Sequence, residues 1–373
     1  MDSESGGPAE HEVSRRGLLG ALAAGGVAAG IGLAGPAPAE AAVYPASKLP
    51  RSGTGIVLLG TQAGPPPDPA RAGISTALVV DGKVYLVDCG RSSVTQYQRA
   101  GLRFADLQSI FLTHLHADHI ADYYNFFVLA GSSSSGGDAV LPPIGVHGPG
   151  SAGALPPAAG GAEVPTLRPE APVPGTKAMT EAMHAAFAYA NNISLRASPR
   201  TARDIETVPD VHEIDLPDVG ATALGPTAPP MEPFSVMEDD RVRVTATLVP
   251  HGTVFPSFAF RFDTDHGSVT FSGDTARSAN LVRLAKGSDI LVHEAIKLTD
   301  DVNPQFRASM LASHVLVEEV GEVAQEAQAG HLVLSHIGDF SGPVKPSEWR
   351  KLARRGYDGR VTVGEDLMSL AVG

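Results

Sequence analysis

Short apolar runs separated by turn residues recur along the chain and predict β-strands in both of its halves. The runs 75–80 and 84–87 flank the dipeptide Asp81-Gly82, which is a strong signal for a β-hairpin. Further strands are predicted at residues 55–59, 109–112, 144–147, 241–248, 258–262, 269–271, 290–292, 332–334 and 361–363. Because strands and helical segments alternate in both halves, the pattern predicts an α/β fold with two sheets sandwiched between helices.

Apolar positions at helical spacing predict the helices that cover those sheets. Met179, Met183 and Phe187 recur every four residues, as one face of an amphipathic helix does, and residues 191–192 are predicted to end it. The other predicted helices are 120–129, 278–285 with Ser278 as its N-cap, 315–328 and 349–354. The helix that carries Met179 either packs into the core or forms a lid over a site, and both alternatives are open.

The first forty residues predict a targeting segment. Arg15 and Arg16 precede an uncharged run, residues 17–39, that consists mostly of Ala and Gly. Paired arginines before a weakly hydrophobic run resemble a twin-arginine export signal. We therefore expect residues 1–41 to engage the twin-arginine export machinery and residues 42–373 to form a periplasmic or extracellular hydrolase domain. A retained membrane anchor is the alternative.

Composition narrows the class of protein. The 41 glycines and 30 prolines among 373 residues indicate a loop-rich architecture. The formal net charge of -13 disfavours non-specific binding of nucleic acid, which needs a surface rich in Lys and Arg. The single cysteine, Cys89, excludes an intramolecular disulfide, so stability must come from packing and from metal binding.

A dense set of metal-binding residue types follows the predicted strand 109–112. Alternate positions on an extended loop point the same way, so His114 and His116 can bind one ion while Asp118 and His119 project towards a second. Imidazole nitrogen and carboxylate oxygen are ligands that zinc prefers. A histidine-rich surface loop is the alternative, but the acid in register and the strand before it favour a two-metal site.

This His-x-His-x-Asp-His motif resembles that of the metallo-β-lactamase superfamily, and three further predicted strand ends carry residues that complete it. The resemblance implies an αββα sandwich with a helical insertion near the active site, at about residues 132–240. It also implies two Zn²⁺ ions, although His/Asp sites accept other divalent metals. The implied ligands are His114, His116 and His251 on one ion, Asp118, His119 and His336 on the other, and Asp274 between them.

Two further motifs resemble those of ribonuclease Z. The stretch 293–295 is similar to its His-Glu-Ala-Thr motif, with Ile296 in place of Thr, and Ser313-His314 is similar to its His-Ser-Thr motif, with Val315-Leu316 after the histidine. The resemblance implies that His314 protonates the leaving group and that Glu294 orients His314. Alternatively, His314 has a structural role as a neighbour of a helix cap. His293 is expected to pack behind the site.

The substrate is less constrained than the metal site. Only 22 residues separate His251 from Asp274, too few for the arm with which ribonuclease Z holds tRNA, and the extra length before His251 is similar to exported arylsulfatases. We therefore expect hydrolysis of a small anionic sulfate or related ester, with no nucleic acid as a partner. The alternative is a phosphodiesterase of the ribonuclease Z type, which processes the 3′ end of tRNA. A lactonase or a zinc-binding protein without turnover fits less well.

The resemblance also implies a mechanism and supporting roles. A hydroxide that bridges the two zinc ions attacks sulfur or phosphorus, Asp118 orients it, and His314 donates a proton to the departing oxygen. Asp88 is expected to orient the ligating histidines. The remaining histidines, expected to be structural or at the surface, are His147, His184, His212, His266 and His331. The family also allows a homodimer.

Overall fold

Two seven-stranded sheets form the centre of the protein in the computed structural model, which describes residues 52–132 and 138–372. The first sheet consists of β1 (Thr54–Gly60), β2 (Ser75–Val80), β3 (Lys83–Val87), β4 (Leu107–Phe111), β5 (Ile144–Pro149), β6 (Pro209–Ile214) and β14 (Met368–Val372), in the order β14-β1-β2-β3-β4-β5-β6. The second consists of β7 (Phe234–Glu238), β8 (Val242–Leu248), β9 (Phe258–Thr264), β10 (Gly267–Phe271), β11 (Ile290–Lys297), β12 (His331–Asp339) and β13 (Arg360–Val363), in the order β13-β12-β11-β10-β9-β8-β7.

Helices lie against the outer faces of both sheets. The α-helices of the described residues are α1 (Ser93–Arg99), α2 (Ala117–Ile120), α3 (Asn125–Ala130), α4 (Thr176–Ala197), α5 (Ala279–Leu284), α6 (Pro304–Leu311), α7 (Val320–Glu326) and α8 (Pro346–Ala353). Val323 and Trp349, from α7 and α8, belong to the same buried cluster as Leu332 of β12. Phe126 and Phe127 of α3 cluster with Leu86 of β3 in the same way.

Side-chain alternation along the strands explains why two sheets stack. In β1, Ile56 and Leu58 belong to the cluster between the sheets, whereas Val57 and Leu59 belong to the cluster under the first helical layer. Successive side chains of a strand point to opposite faces, so a continuously apolar strand must be covered on both. The rings of Phe111 in the first sheet and Phe262 in the second lie 5.0 Å apart, which joins the two sheets. The predicted αββα sandwich is confirmed.

Most predicted elements are confirmed, and the differences concern their ends. The hairpin of β2 and β3 and the capped helix α5 form as expected, with the Ser278 side chain accepting a hydrogen bond from the Leu281 amide. Helix α4 continues past residues 191–192 to Ala197. The predicted helix 120–129 is interrupted by a turn between α2 and α3. The predicted helix 315–328 forms only over α7, because the backbone of Val315 and Val317 bonds with that of Ile296 in β11.

The segment 132–240, predicted as a helical insertion, contributes to the sheets as well. It contains β5 and β6 of the first sheet, β7 of the second sheet and the 22-residue helix α4. Met179, Met183 and Phe187 are partly buried against the core beneath the first helical layer. The core-packing alternative for that helix is therefore the arrangement observed.

The predicted export signal, residues 1–41, lies outside the described residues. Within residues 52–132 and 138–372, none of the helices has the length and apolar character needed to cross a bilayer.

Candidate active site

The histidine-rich loop begins where β4 ends and turns at once into α2. His114 and His119 are almost completely buried, while His116 is exposed. Asp118 and His119 lie in the single turn of α2, where the amide of His119 donates to the carbonyl of His116. The turn points Asp118 and His119 to the interior beside His114, so four side chains from six consecutive positions meet at one place.

Three strands of the second sheet position the remaining residues. His251 follows β8, Asp274 follows β10, and His336 lies within β12. Gly273 has a φ of 57°, and a Cβ there would lie 2.4 Å from the carbonyl oxygen of Phe258, so only glycine fits before Asp274. His336 itself has a φ of 47°, an uncommon backbone conformation for a non-glycine residue that is frequent at functional sites.

The first group of donors consists of His114, His116, His251 and Asp274. The Nε2 atom of His251 lies 3.2 Å from Nδ1 of His116 and 3.7 Å from Oδ2 of Asp274. The Nε2 atom of His114 lies 4.0 Å from the same carboxylate oxygen. Ligands about 2.0–2.1 Å from a tetrahedral zinc ion are separated from one another by about 3.3 Å, close to the spacing found here.

The second group consists of Asp118, His119 and His336. The Oδ2 atom of Asp118 lies 3.3 Å from Nε2 of His336 and 3.6 Å from Nε2 of His119. Asp274 contacts this group too, because its Oδ2 lies 3.2 Å from His336 Nε2 and its Oδ1 lies 3.4 Å from His119 Nε2. Its carboxylate therefore stands between the two groups, as the resemblance implies.

Several donor atoms in this cluster are buried and unsatisfied. Within the part of the chain that the structure describes, His114 Nε2, His119 Nε2 and Asp274 Oδ1 have no hydrogen-bond partner. Leaving a buried polar atom unpaired costs about 1–3 kcal/mol, so a convergent set of such atoms needs a compensating ligand. A divalent metal supplies one, and neutral imidazoles with carboxylates are the donors that it requires. The residues present fit a divalent metal site.

The electrostatics of the cluster keep most of these donors in their ligating form. Burial lowers the pKa of His251 to about 4 and that of His114 well below its ordinary value. Burial by itself raises the pKa of Asp274, but the imidazoles of His336 and His119 outweigh it and hold that pKa well below its usual range. Burial also raises the pKa of Asp118, yet the hydrogen bond from His336 lowers it to about 2. Both carboxylates are therefore ionised, and two of the imidazoles are neutral, near neutral pH.

A second set of contacts holds these donors in place. Asp88 accepts hydrogen bonds from the amide and hydroxyl of Thr113 at 2.8 and 2.9 Å and is hydrogen-bonded to Nδ1 of His119 at 2.8 Å. These contacts hold the ring of His119 so that its Nε2 faces the cluster. Asp88 thus orients a ligating histidine, as expected. The carbonyl of Ser313 accepts from Nδ1 of His251 at 2.9 Å, and the amide of Gly64 donates to Oδ2 of Asp118 at 3.1 Å.

Glu294 and His314 form a pair at the edge of the cluster. Oε1 of Glu294 accepts a hydrogen bond from the Val315 amide at 2.8 Å, and its Oε2 lies 3.4 Å from Nδ1 of His314. The ring centroid of His314 lies 5.1 Å from that of His251 and 5.9 Å from that of His336. Burial lowers the pKa of His314, but the carboxylate of Glu294 outweighs it and raises that pKa to about 9. The protonated imidazole can therefore serve as an acid.

The other histidines of the described residues are not among these donors. His147 is stacked between the rings of Phe111 and His212. His184 is hydrogen-bonded to Tyr124, His266 is paired with Asp81, and His331 is hydrogen-bonded to Thr362. His293 is completely buried, and its Nδ1 is hydrogen-bonded to the carbonyl of Glu294. The six histidines thus occupy the structural or surface positions expected of them.

Two contributions to the site carry no sequence signal of their own. Gly64 and Ser313 act through backbone atoms, so their residue types do not reveal the contacts that they make. A cavity of about 450 Å³ beside His116 is lined by loop segments that are distant in sequence, including Pro149–Pro156 and Thr253–Pro256. The Gly/Pro/Ala-rich composition of the first of these segments predicts a loop and gives no indication of a cavity.

Comparison with known proteins places the chain in a family. A family model described as beta-lactamase superfamily domain matches residues 175–337, and one described as metallo-beta-lactamase superfamily matches residues 70–131. Ribonuclease Z of Mycobacterium bovis is 32% identical over 322 residues, which is 85% of this chain and 98% of that protein. Ribonuclease Z of Mycolicibacterium gilvum is 30% identical over 324 residues, which is 85% of this chain and 96% of that protein.

Solved structures share the fold. The short form of human tRNase Z has a TM-score of 0.57 at 20% identity, covering 86% of this chain and 99% of that one. The metallo-beta-lactamase fold protein YhfI from Bacillus subtilis has a TM-score of 0.55 at 16% identity, covering 86% of this chain and all of that one. At these identities the likeness concerns the fold alone.

These relatives correct two expectations about the substrate. The expectation that no nucleic acid is a partner is wrong, because relatives that match this chain over nearly their whole length are ribonucleases. The net charge of -13 is a property of the whole chain and does not determine which substrate binds at a single site. For this reason it gave a wrong prediction about nucleic acid. The predicted arylsulfatase-like activity also lacks support among the relatives. The alternative, a phosphodiesterase, agrees with relatives that are ribonuclease Z proteins.

The donor cluster, the fold and the relatives agree with one another. The family binds divalent metal, typically zinc, and the described residues bring together the histidines and aspartates that such an ion requires. The protein is a metal-dependent hydrolase that acts on ester bonds. It belongs to the metallo-β-lactamase superfamily, in the group that contains the ribonuclease Z proteins.

Proposed function

We propose that the protein hydrolyses phosphodiester bonds, RNA included, as a phosphodiesterase of the ribonuclease Z type. The observation that carries this proposal is the pair formed by Glu294 and His314 beside the donor cluster. Hydrolysis of a diester expels an alkoxide or aryloxide, which needs a proton, and His314 is a protonated imidazole at the edge of the site. The ribonuclease Z relatives support the same choice of bond.

We assign the seven donors to two zinc ions. His114, His116 and His251 would hold one ion, and Asp118, His119 and His336 would hold the other, with Asp274 in contact with both groups. When bound, zinc supplies Lewis acidity, which lowers the pKa of water and polarises the phosphorus–oxygen bond. The support for two ions is that the donor atoms fall into two groups, one of which contains Asp274. The carboxylate of Asp274 also contacts His119 and His336 of the other group.

Side chains of the protein orient the attacking water and protonate the leaving oxygen. The carboxylate of Asp118 is ionised and held by the Gly64 amide, so it can orient an attacking water and accept its hydrogen bond. The bond from the water oxygen to phosphorus forms, with one proton of the water passing through Asp118 to solvent, while the bond from phosphorus to the leaving oxygen breaks. His314 donates its proton to that oxygen, and Glu294 fixes the ring, since the Glu294 carboxylate faces Nδ1 and leaves Nε2 to donate.

A zinc-loaded turnover panel tests the bond that is cleaved. We expect an aryl phosphodiester to be hydrolysed with a kcat/KM at least about 100-fold above that of the aryl sulfate with the same phenol, a difference of about 2.7 kcal/mol in transition-state stabilisation. Precursor tRNA should be cleaved and a lactone left intact. Chelation of the metal serves as the control and should abolish every activity.

A sulfate ester is the second candidate substrate. A sulfate monoester and a phosphate diester are both tetrahedral monoanions, and the short interval between His251 and Asp274 leaves no room there for an RNA-binding arm. Faster hydrolysis of the aryl sulfate than of the aryl phosphodiester in the panel would overturn our proposal in favour of this candidate.

We also propose that residues 1–41 direct the protein through the twin-arginine route to the periplasm or the extracellular space. Arg15 and Arg16 before an uncharged Ala/Gly-rich run support this proposal. Replacing both arginines by lysine should raise the ratio of cytoplasmic to exported protein at least about tenfold above that of the native leader. Cell fractionation measures this ratio, and the same substitutions at Arg354 and Arg355 are the matched control. Equal export of both variants would contradict the proposal.

A further inference from the structure

An apolar cavity of about 450 Å³ opens directly beside the candidate metal centre. His116 is both a donor of the first group and part of the cavity wall. Its exposure, in contrast to the buried His114, results from facing this space. A molecule bound at the metal centre through its phosphoryl group can therefore extend one of its substituents into the cavity.

The wall of the cavity contains no Asp, Glu, Lys or Arg among the described residues that line it. Its larger side chains are apolar: Leu115, Ile120, Leu155, Met179, Val254 and Phe255. Prolines and alanines of the loops fill the spaces between them, and His116 and Thr253 are its polar side chains. A wall of this kind stabilises an uncharged apolar group, by about 25 cal/mol for each Å² of apolar surface removed from water, and offers nothing to a second phosphate.

His314 does not line this cavity. In the proposed arrangement, the oxygen that His314 protonates therefore carries the substituent that points away from the cavity. The substituent in the cavity is the one that remains on phosphorus after cleavage.

We propose that this cavity is a specificity-determining subsite for an apolar, ring-sized ester group that stays attached to phosphorus. The inference rests on the proposed phosphodiesterase activity and adds to it a preference for diesters with one such group. The volume of about 450 Å³ is within the range of sites that bind small organic groups. The helix α4 contributes Met179 to its wall, which gives that helix a second role beside core packing.

Two substrates with one leaving group test the subsite. Phenyl p-nitrophenyl phosphate and methyl p-nitrophenyl phosphate both release p-nitrophenol, so only the remaining ester group differs. We expect the native protein to prefer the phenyl ester by about tenfold or more in kcat/KM. Leu155→Asp should lower that ratio at least about fivefold, because a ring bound in the cavity would have to remove water from the new carboxylate.

Leu167→Asp is the matched control, since it introduces the same charge. Leu155 is 46% exposed and lines the cavity, whereas Leu167 is 84% exposed and does not, so neither substitution disturbs the core. Leu167→Asp should leave the phenyl-to-methyl ratio at its native value. A ratio near one in the native protein, or equal ratios in both variants, would overturn the proposal.

A binding measurement separates failure of the subsite from failure of the proposed function. The metal-free protein is titrated with 2-naphthol, an uncharged ring, and its fluorescence is followed. Binding at least about fivefold weaker in Leu155→Asp than in Leu167→Asp supports the cavity even when no phosphodiester is turned over, in which case the proposed function alone fails. Equal binding in the two variants contradicts the cavity, whichever diester the protein hydrolyses.

Discussion

His116→Ala is expected to lower kcat/KM for the preferred phosphodiester by about three orders of magnitude, or about 4 kcal/mol of transition-state stabilisation. His116 lies 3.2 Å from His251 in the first donor group, so its loss removes one of three imidazoles from that group. Zinc bound through two imidazoles and a shared carboxylate is held too weakly to polarise the substrate. Zinc content should fall from two ions towards one per chain, as measured by elemental analysis of the dialysed protein.

His116 is the suitable ligand to replace because it is exposed. His114 is fully buried, so its removal would leave a cavity and confuse loss of metal with loss of packing. His212→Ala is the matched control, since His212 is a half-exposed histidine that pairs with Asp210 at the sheet edge. That variant should keep both metal and activity. Two zinc ions per chain and native activity in His116→Ala would refute the ligand assignment.

The donors of the site could be predicted from the sequence because each follows a strong local pattern. His114 to His119 come directly after a buried strand, and Asp274 comes at the end of another. An apolar run identifies a strand, and the polar residues at its end are available for a site. Pairing these strand ends across two sheets needed the resemblance to a known family, because no local pattern states which strands are neighbours.

The elements that were missed lack such a pattern. Strand β6 reads Pro-Asp-Val-His-Glu-Ile and lies at a sheet edge, with half of its residues exposed, so its composition is typical of a loop. The opposite error concerns residues 315–328, where the apolar run predicts one long helix. The first residues of that run bond with Ile296 of β11 in the second sheet, so tertiary pairing overrides helical spacing there.

The cavity illustrates a different limit. Its wall combines Leu115, the loop around Leu155, Met179 of α4 and the stretch 253–256. Each piece has an ordinary composition, and the apolar character of the space appears only when the chain folds. The expectation from charge and chain length that no nucleic acid is a partner is wrong, whereas the predicted metal donors do lie together in the structure.

His314→Gln is expected to lower kcat about 10²- to 10⁴-fold for a diester whose leaving group is an alkoxide or phenoxide. A glutamine keeps the size and polarity of the side chain but cannot donate a proton as an acid. The loss should be at least about tenfold smaller with p-nitrophenol as leaving group, because p-nitrophenoxide is a weak base that departs without protonation. Steady-state kinetics with phenyl and p-nitrophenyl leaving groups, the other ester group being held constant, measure both effects.

Glu294→Gln separates the proton donor from the residue that positions it. The Val315 amide can still donate to the side-chain oxygen of glutamine, so the loop that carries His314 keeps its anchor. The substitution removes the charge that raises the pKa of His314. The decrease in kcat should therefore be smaller than in His314→Gln, and it should depend on the leaving group in the same way. His266→Gln, in an exposed turn beside Asp81, is the control and should leave kcat unchanged with either leaving group. Equal losses for both leaving groups in His314→Gln would show that His314 supports the structure of the site and does not protonate the departing oxygen.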